Sequence, residues 1–242
     1  MVTLRSVAAY AFLTIYTVVL GPPVLVLAWL ISSQRLIIDA GRIGTAIALA
    51  LAGIRYTRRG TFTSPGEGHG VVFCVNHTSF MDLVSFMVLY RVCPGVRVLY
   101  KAEFDRVPLL GRIFRTAGCI PIERAKQDLA FEAVDKSVQA LQRGASVLAA
   151  PEGTRSRDGV LAPFKKGVFV MAIRAQVPVV PVAIDGARHA LPKGAWRIQP
   201  ATIHVTIGDP VDTTGLGYDD RAALAEQVRA RLGAMLPERQ AL

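Results

Sequence analysis

The chain has 242 residues, of which 52% are hydrophobic, and 28 Lys and Arg residues outnumber 18 Asp and Glu residues to give a formal net charge of +10. This composition is too apolar for an ordinary soluble enzyme, and the positive charge indicates an anionic membrane surface or another polyanionic partner. Nucleic acid is disfavoured, because the basic residues are scattered, aromatic residues make up only 7%, and no nucleic-acid-binding motif occurs.

The first 60 residues are predicted to form a membrane-associated helical segment. Residues 7–31 carry no charge and are about long enough to cross a bilayer, but Gly21-Pro22-Pro23 divides them and predicts a break or kink. A second apolar stretch, 43–54, is too short to cross. If both stretches crossed, the loop with Arg35 and Arg42 would lie outside, against the positive-inside tendency. A helical hairpin lying in the cytoplasmic leaflet is therefore favoured over two spans, and over packing of both helices on a soluble core.

Residues 61–242 are predicted to form a second domain, entered through a linker at 61–70 that is rich in Gly, Ser, Thr and Pro. Short apolar runs alternate with helical patterns in this part of the chain, which predicts an α/β fold with a largely parallel sheet flanked by helices. Strands are predicted at 71–75, 96–100, 118–122, 146–150, 177–184 and 202–207, and helices from Ser79 and at 128–143 and 222–236.

The cysteines predict the compartment. Cys74, Cys93 and Cys119 are an odd number, lie in apolar stretches and lack the spacing of metal ligands. They are therefore predicted to be reduced core thiols of a protein whose second domain faces the cytoplasm.

The segment 71–82, VVFCVNHTSFMD, carries the first candidate for chemistry. The apolar run predicts a buried strand, and Ser79 with Asp82 three residues later predicts a helix start with a capping box. His77 would then lie on a strand-to-helix turn, with the Asp82 carboxylate able to fold back towards it. Such a pair is suited to act as a general base, although Asp82 alone could serve only the helix cap.

Basic residues follow the other predicted strands and indicate an anion site. Lys101, Arg124 and the segment 152–155 each come directly after a strand, and Lys165 precedes a helical run. Ligands of parallel sheets bind beyond the carboxyl ends of the strands, so these side chains are expected to meet His77 at one edge. Arg155 could bind a phosphate with two hydrogen bonds, and Gly153 would let the backbone come close to the ligand.

The sequence contains no Gly-x-Ser-x-Gly nucleophile elbow, no Walker loop and no Gly-x-Gly-x-x-Gly motif. A His–Asp base beside an anion site, without an enzymic nucleophile, suggests that the attacking hydroxyl belongs to the substrate. The predicted reaction is direct acyl transfer to an alcohol that carries a phosphate.

Four blocks between about residues 70 and 185 resemble the glycerolipid acyltransferases in order and in spacing. Residues 76–82 resemble the His-x4-Asp motif, and residues 101–104 with 118–124 resemble the second block. Residues 151–156 are similar to the Pro-Glu-Gly-Thr-Arg-Ser block, and residues 177–182 to the fourth. The similarity is greatest to the lysophosphatidate (1-acylglycerol-3-phosphate) acyltransferases. Ala150 departs from the pattern, because the family usually carries an aromatic residue there.

The resemblance implies a membrane-borne lysophosphatidate acceptor, acyl-CoA or acyl-carrier protein as acyl donor, and no metal or bound cofactor. His77 would be the general base and Asp82 its support. The acceptor pocket would be formed by Lys101, Arg124, Glu152, Gly153, Thr154, Arg155 and Lys165, with Arg155 on the phosphate, and Pro181 would shape the acyl channel. The alternatives are the same chemistry on another lysophospholipid or a lyso-aminolipid, and a non-catalytic membrane-binding module.

Overall fold

The computed structural model describes residues 1–63, 70–107, 109–123 and 127–237. Its helices are α1 (Val2–Leu30), α2 (Gln34–Ala52), α3 (Leu83–Val92), α4 (Leu110–Thr116), α5 (Gln127–Gln142), α6 (Gly167–Ala175), α7 (Ala187–Ala190) and α8 (Arg221–Ala234). Its strands are β1 (Ile54–Arg59), β2 (Val72–Val75), β3 (Arg97–Lys101), β4 (Ile120–Ile122), β5 (Val147–Ala149), β6 (Val179–Asp185) and β7 (Ala201–Ile207).

The strands form one sheet in the order β1-β7-β6-β2-β5-β3-β4, in which only β6 and β7 are antiparallel neighbours. All four residues of β2 and all three of β5 are buried, as expected for central strands that are covered on both faces. The prediction of a largely parallel sheet flanked by helices is therefore confirmed, and β2, β5 and β3 end at the same edge.

Helices cover both faces of this sheet. One apolar core contains side chains of α5, α6 and α8, and the other contains side chains of α2, α3 and α7, with Ala9 of α1. The helical hairpin α1–α2 thus belongs to the second face, on the side of α3. Tight contact joins its two helices, since a Cβ on Gly44 would lie 2.5 Å from the ring of Tyr16, whose hydroxyl donates to the carbonyl of Ala40 at 2.8 Å.

A break at Gly21-Pro22-Pro23 is wrong, because α1 continues through both prolines, and the alternative of a kink there stays a prediction. Each proline removes one backbone donor, but the turns before and after keep theirs, and α2 packs alongside α1. The helix buries few side chains and leaves most of its apolar residues exposed. It is the one helix in the described part of the chain that is long and apolar enough to cross a membrane.

The sheet begins earlier than the sequence predicts. Ile54–Arg59 forms β1 and pairs along its whole length with β7, so Arg55, Arg58 and Arg59 lie on an edge strand. The predicted division at residue 60 stays a prediction, but the sheet includes residues on both sides of it. Most of the predicted linker, residues 64–69, lies outside the described residues.

Candidate active site

The turn after β2 is fixed to the neighbouring strand by Asn76. Its side-chain amide donates to the carbonyl of Ile184 at 2.9 Å, and its side-chain oxygen accepts the N–H of Ile184 at 2.7 Å. The Asn76 side chain thus takes the place of a backbone partner for β6 where β2 has ended. The backbone of His77, the next residue, is therefore held in place by both β2 and β6.

His77 and Asp82 are in direct contact. The Nδ1 atom of His77 lies 2.7 Å from Oδ2 of Asp82, which also accepts the backbone N–H groups of Thr78 at 2.8 Å and Ser79 at 2.9 Å. Asp82 is buried, whereas His77 is 27% exposed. A carboxylate on Nδ1 places the proton there and leaves Nε2 as the basic atom.

The same turn also has the predicted helix cap. Ser79 is the N-cap of a short 3₁₀ helix, Phe80–Asp82, and its hydroxyl oxygen accepts the N–H of Met81 at 2.9 Å. That hydroxyl donates to the carbonyl of Leu191 at 2.7 Å, which ties the turn to α7. The capping box is confirmed, and Asp82 both caps the helix and holds the imidazole, so capping is not its only role.

Glu152 supports His77 from behind. One carboxylate oxygen accepts the backbone N–H of His77 at 2.6 Å, and the other accepts that of Ala162 at 3.1 Å. The side chain is buried, and burial raises its pKa from 4.5 to about 6 despite the two N–H donors, with the Asp82 charge adding to the rise. The sequence places Glu152 in the pocket for the acceptor substrate. In the structure both of its carboxylate oxygens accept hydrogen bonds from the protein backbone and so hold the two loops together.

A cavity of about 400 Å³ opens beside His77. Apolar side chains from α3, β3, β5 and α6 form most of its wall, among them Phe86, Leu99, Leu148 and Met171. Ala150 also lines it, so the small residue at this position leaves space within the cavity. Its dimensions and lining suit an aliphatic chain whose reacting end lies at the imidazole.

Three of the predicted anion ligands lie at the mouth of this cavity. Gly153 has φ +74°, and a Cβ there would lie 2.8 Å from Cε of Lys165, so the glycine makes room for that lysine. Lys165 and Gly153 line the cavity directly. The guanidinium of Arg155 stacks over the ring of Phe80 at 3.9 Å, and Phe80 also lines the cavity.

The other predicted site residues are placed differently. Lys101, the last residue of β3, pairs with Glu103 at 2.7 Å at the surface and does not line the cavity, although Val98 and Leu99 of the same strand do. Thr154 is exposed. Pro181 lies opposite Cys74 in the sheet and next to Gly208, outside the lining of the cavity. Arg124 lies outside the described residues.

Two features of the site could not be found from sequence motifs. The cavity wall comes from segments far apart in the chain, and the contacts of Glu152 depend on which loop lies next to His77. Asn76 did have a signal, since it interrupts an apolar run directly before the histidine. Among the described residues, no group of three His, Cys, Asp or Glu side chains could hold a metal ion.

Comparison with known proteins connects this site to a family. Residues 53–185 match the family model described as Acyltransferase. The 1-acyl-sn-glycerol-3-phosphate acyltransferase alpha of Homo sapiens is 35% identical over 181 residues, which are 74% of this chain and 62% of the relative. The protein of the same activity from Cocos nucifera is 30% identical over 170 residues, 70% of this chain and 54% of the relative. The chain therefore spans little more than half the length of these relatives.

A solved structure has the same fold. The crystal structure of the 1-acyl-sn-glycerophosphate (LPA) acyltransferase PlsC from Thermotoga maritima superimposes with a TM-score of 0.73, over 94% of this chain and 93% of that one. The sequence identity is 24%, so this likeness concerns the fold. It includes the N-terminal helices as well as the sheet.

Proposed function

Since the chain belongs to the acyltransferase family, we propose that it transfers a fatty acyl group from acyl-CoA or acyl-carrier protein to the sn-2 hydroxyl of lysophosphatidate, giving phosphatidate. The observation that carries this proposal is the 2.7 Å contact between His77 Nδ1 and Asp82 at the mouth of an apolar cavity. This arrangement places a general base beside a cavity that can hold an acyl chain. Acyl transfer to a lipid alcohol requires both.

The chemical step begins with the acceptor hydroxyl at Nε2 of His77. Nε2 takes the hydroxyl proton as the oxygen attacks the thioester carbonyl, and the Asp82 carboxylate stabilises the imidazolium that forms. The C–S bond then breaks, and the imidazolium returns the proton to the leaving thiolate. The acyl group ends on the glycerol oxygen, and no covalent bond to the protein is formed.

The cavity supports the lipid part of the proposal. Transfer of an acyl chain from water into contact with Phe86, Leu99 and Met171 would be favourable by about 0.8 kcal/mol for each methylene buried. The carbonyl end would then lie at the His77 end of the cavity. The same arrangement keeps water away from the thioester and so favours transfer over hydrolysis.

The cations at the mouth support a phosphate-bearing acceptor. Lys165 is exposed beside Gly153, and the Arg155 guanidinium lies over the Phe80 ring, 3.9 Å from its centre, where it could donate to phosphate oxygens. Arg155→Lys would remove the planar pair of donors, and the KM for the acceptor should rise about 10-fold or more while the KM for the donor stays. A change confined to the donor would place the coenzyme phosphates at Arg155.

The apolar hairpin supports membrane attachment. The exposed apolar surface of α1 and the net positive charge suit a bilayer with anionic lipid, where the acceptor resides. In this proposal the site faces the cytoplasm, where the acyl donors are.

The direct test is an assay of the purified protein with acyl-CoA or acyl-carrier protein and a panel of acceptors. Thiol release should depend on lysophosphatidate, and mass spectrometry should find phosphatidate. A neutral lysolipid or a lyso-aminolipid that reacted better would move the proposal to that acceptor. Thiol release independent of any acceptor would indicate a thioesterase and contradict it.

A further inference from the structure

A second cavity, of about 350 Å³, lies at the outer edge of β4, the last strand of the sheet. We call it the edge pocket, and its polar lining consists mainly of Gln34, Arg97, Arg115, Lys136 and Arg143. These side chains come from α2, β3, α4, α5 and the turn after α5. The edge pocket shares no lining residue with the cavity beside His77.

The charge of the edge pocket is not balanced within the described part of the chain. Arg115 pairs with Asp105 at 2.8 Å, and Lys136 pairs with Glu132 at 2.7 Å. Arg97 and Arg143 have no ion pair or side-chain hydrogen bond with any described residue, and no acidic side chain lines the pocket. Four cations around one concavity, two of them without a partner among the described residues, form a site for an anion.

The geometry leaves space for a compact anion. A Cβ placed on Gly118 would lie 3.5 Å from Nε and 3.6 Å from Cζ of Arg97, and 3.4 Å from the side-chain oxygen of Gln34. Gly118, a glycine with φ +75°, thus forms part of the pocket wall beside the Arg97 guanidinium, and the volume of about 350 Å³ in front of that wall accommodates a compact anion. Guanidinium groups bind phosphate through two parallel hydrogen bonds, so a phosphate suits this space better than a carboxylate on a long side chain.

The position of the edge pocket indicates where that phosphate comes from. Gln34 is the first residue of α2 and follows the turn after α1. Trp29 and Leu30 at the end of α1, and Ile31 at the start of that turn, are 76%, 65% and 57% exposed. Exposed apolar side chains near unpaired cations match the two parts of a phospholipid. Its acyl chains would contact the apolar end of α1, and its phosphate would bind the cations.

We propose that the edge pocket binds the phosphate of an anionic phospholipid headgroup, as a lipid site separate from the active site. The inference deepens the membrane attachment of the proposed function and rests on it. Its role is to fix the tip of the hairpin to anionic membrane, so it contributes to binding and not to the chemical step.

The test compares two double variants of the full chain that lose the same charge. Arg97→Gln with Arg143→Gln empties the edge pocket of its unpaired cations. Arg221→Gln with Arg231→Gln removes the charges of the half-buried Arg221 and the exposed Arg231 of α8, which packs on the sheet face opposite α1. Each is measured by co-sedimentation with vesicles of phosphatidylcholine alone, and of phosphatidylcholine and phosphatidylglycerol in equal parts.

We expect the edge-pocket variant to bind the anionic vesicles about 10-fold or more weakly, with no change on neutral vesicles, and the α8 variant to stay within about twofold of the wild type. Equal losses in both variants would show a diffuse effect of net charge and overturn the proposal. Arg143→Glu, at an exposed position, gives the same comparison if the double variant melts at a lower temperature than the wild type.

Other occupants are distinguished by further arms of the same experiment. Titration with acyl-carrier protein should show no difference between the wild type and the edge-pocket variant, and inorganic phosphate at constant ionic strength should bind the wild type more weakly than anionic vesicles do. Loss of either interaction with vesicle binding intact would assign the pocket to free phosphate or to a protein partner. Acyl transfer in neutral detergent should be unchanged. Absence of acyl transfer by the wild type would overturn the proposed function. The vesicle-binding result would still decide whether the edge pocket binds a lipid headgroup.

Discussion

Individual side chains at the site each serve more than one contact. Asp82 Oδ2 accepts from an imidazole and from two backbone N–H groups, so one buried atom fixes both the histidine and the turn that carries it. Glu152 similarly joins the His77 backbone to the loop at Ala162. Because these contacts are shared, a change at either acid affects local geometry together with charge.

Glu152 should make the stability of the protein depend on pH. Its pKa is raised from 4.5 to about 6, so its contribution to stability is complete below pH 4.5 and is lost as pH rises through 6. The shift corresponds to about 2 kcal/mol of unfolding free energy. Wild-type protein should lose this amount over that interval relative to Glu152→Gln, whose side chain does not titrate. Denaturation curves in neutral detergent at both ends of the interval measure the difference, and parallel pH profiles of the two proteins would contradict it.

Ala150 should set how much of the cavity an acyl chain can use. Ala150→Phe would place a ring in the cavity and exclude part of a long acyl chain. The glycerolipid acyltransferases that the sequence resembles usually carry an aromatic residue at this position. Loss of two methylenes costs about 1.6 kcal/mol, so kcat/KM for long-chain donors should fall more than 10-fold relative to short-chain donors. Ala150→Ser, which keeps the volume small, is the control. An unchanged chain-length profile in Ala150→Phe would mean that the chain does not enter this cavity.

Among the helices and strands, the hairpin departs most from what its sequence suggests. Its prolines do not interrupt α1, and the end of α2 leads directly into β1. Leu49 and Ala52 of α2 are buried in the core under the sheet. Removal of residues 1–54 would therefore uncover that core and remove the first residue of β1, and substitutions at the exposed tip test membrane attachment more sharply.

Trp29→Ser with Leu30→Ser should weaken binding to neutral phosphatidylcholine vesicles. Both side chains are mostly exposed, so the fold should tolerate the change, and their burial in lipid is worth about 3 kcal/mol or more together, or roughly 100-fold. Tyr218→Ser, which changes an aromatic residue that is 60% exposed next to α8, is the matched control. Vesicle binding at the wild-type level would place the membrane contact elsewhere on the molecule.

The strand β1 shows why one element was missed. Its sequence, IRYTRR, alternates only at Ile54 and Tyr56 before it becomes continuously polar, and it directly follows the apolar stretch of α2. An edge strand with one half-buried face gives a weak pattern. The buried strands β2, β5 and β6 gave continuous apolar runs, and the structure places them within two residues of the predicted bounds.

Across the full chain, the sequence predicts the residues that act through local geometry better than those whose role depends on contacts between distant segments. His77, Ser79 and Asp82 lie within six residues, so their contacts follow from one strand-to-helix turn. Lys101 ends β3, but its side chain pairs with Glu103 at the surface and does not line the cavity, although Val98 and Leu99 of the same strand do. No local pattern reveals which partner a side chain at a strand end will contact, so convergence at one edge did not imply contact.

The central claim is that His77 acts as the base in a site assembled at the carboxyl edge of this sheet. The most direct measurement is the rate of lysophosphatidate-dependent thiol release by His77→Ala and by wild-type protein, in neutral detergent with saturating donor and acceptor. Loss of a positioned general base predicts a fall in kcat of about 10²–10⁴-fold, with an unchanged melting temperature because His77 is partly exposed. Near-wild-type turnover by folded His77→Ala would contradict the account.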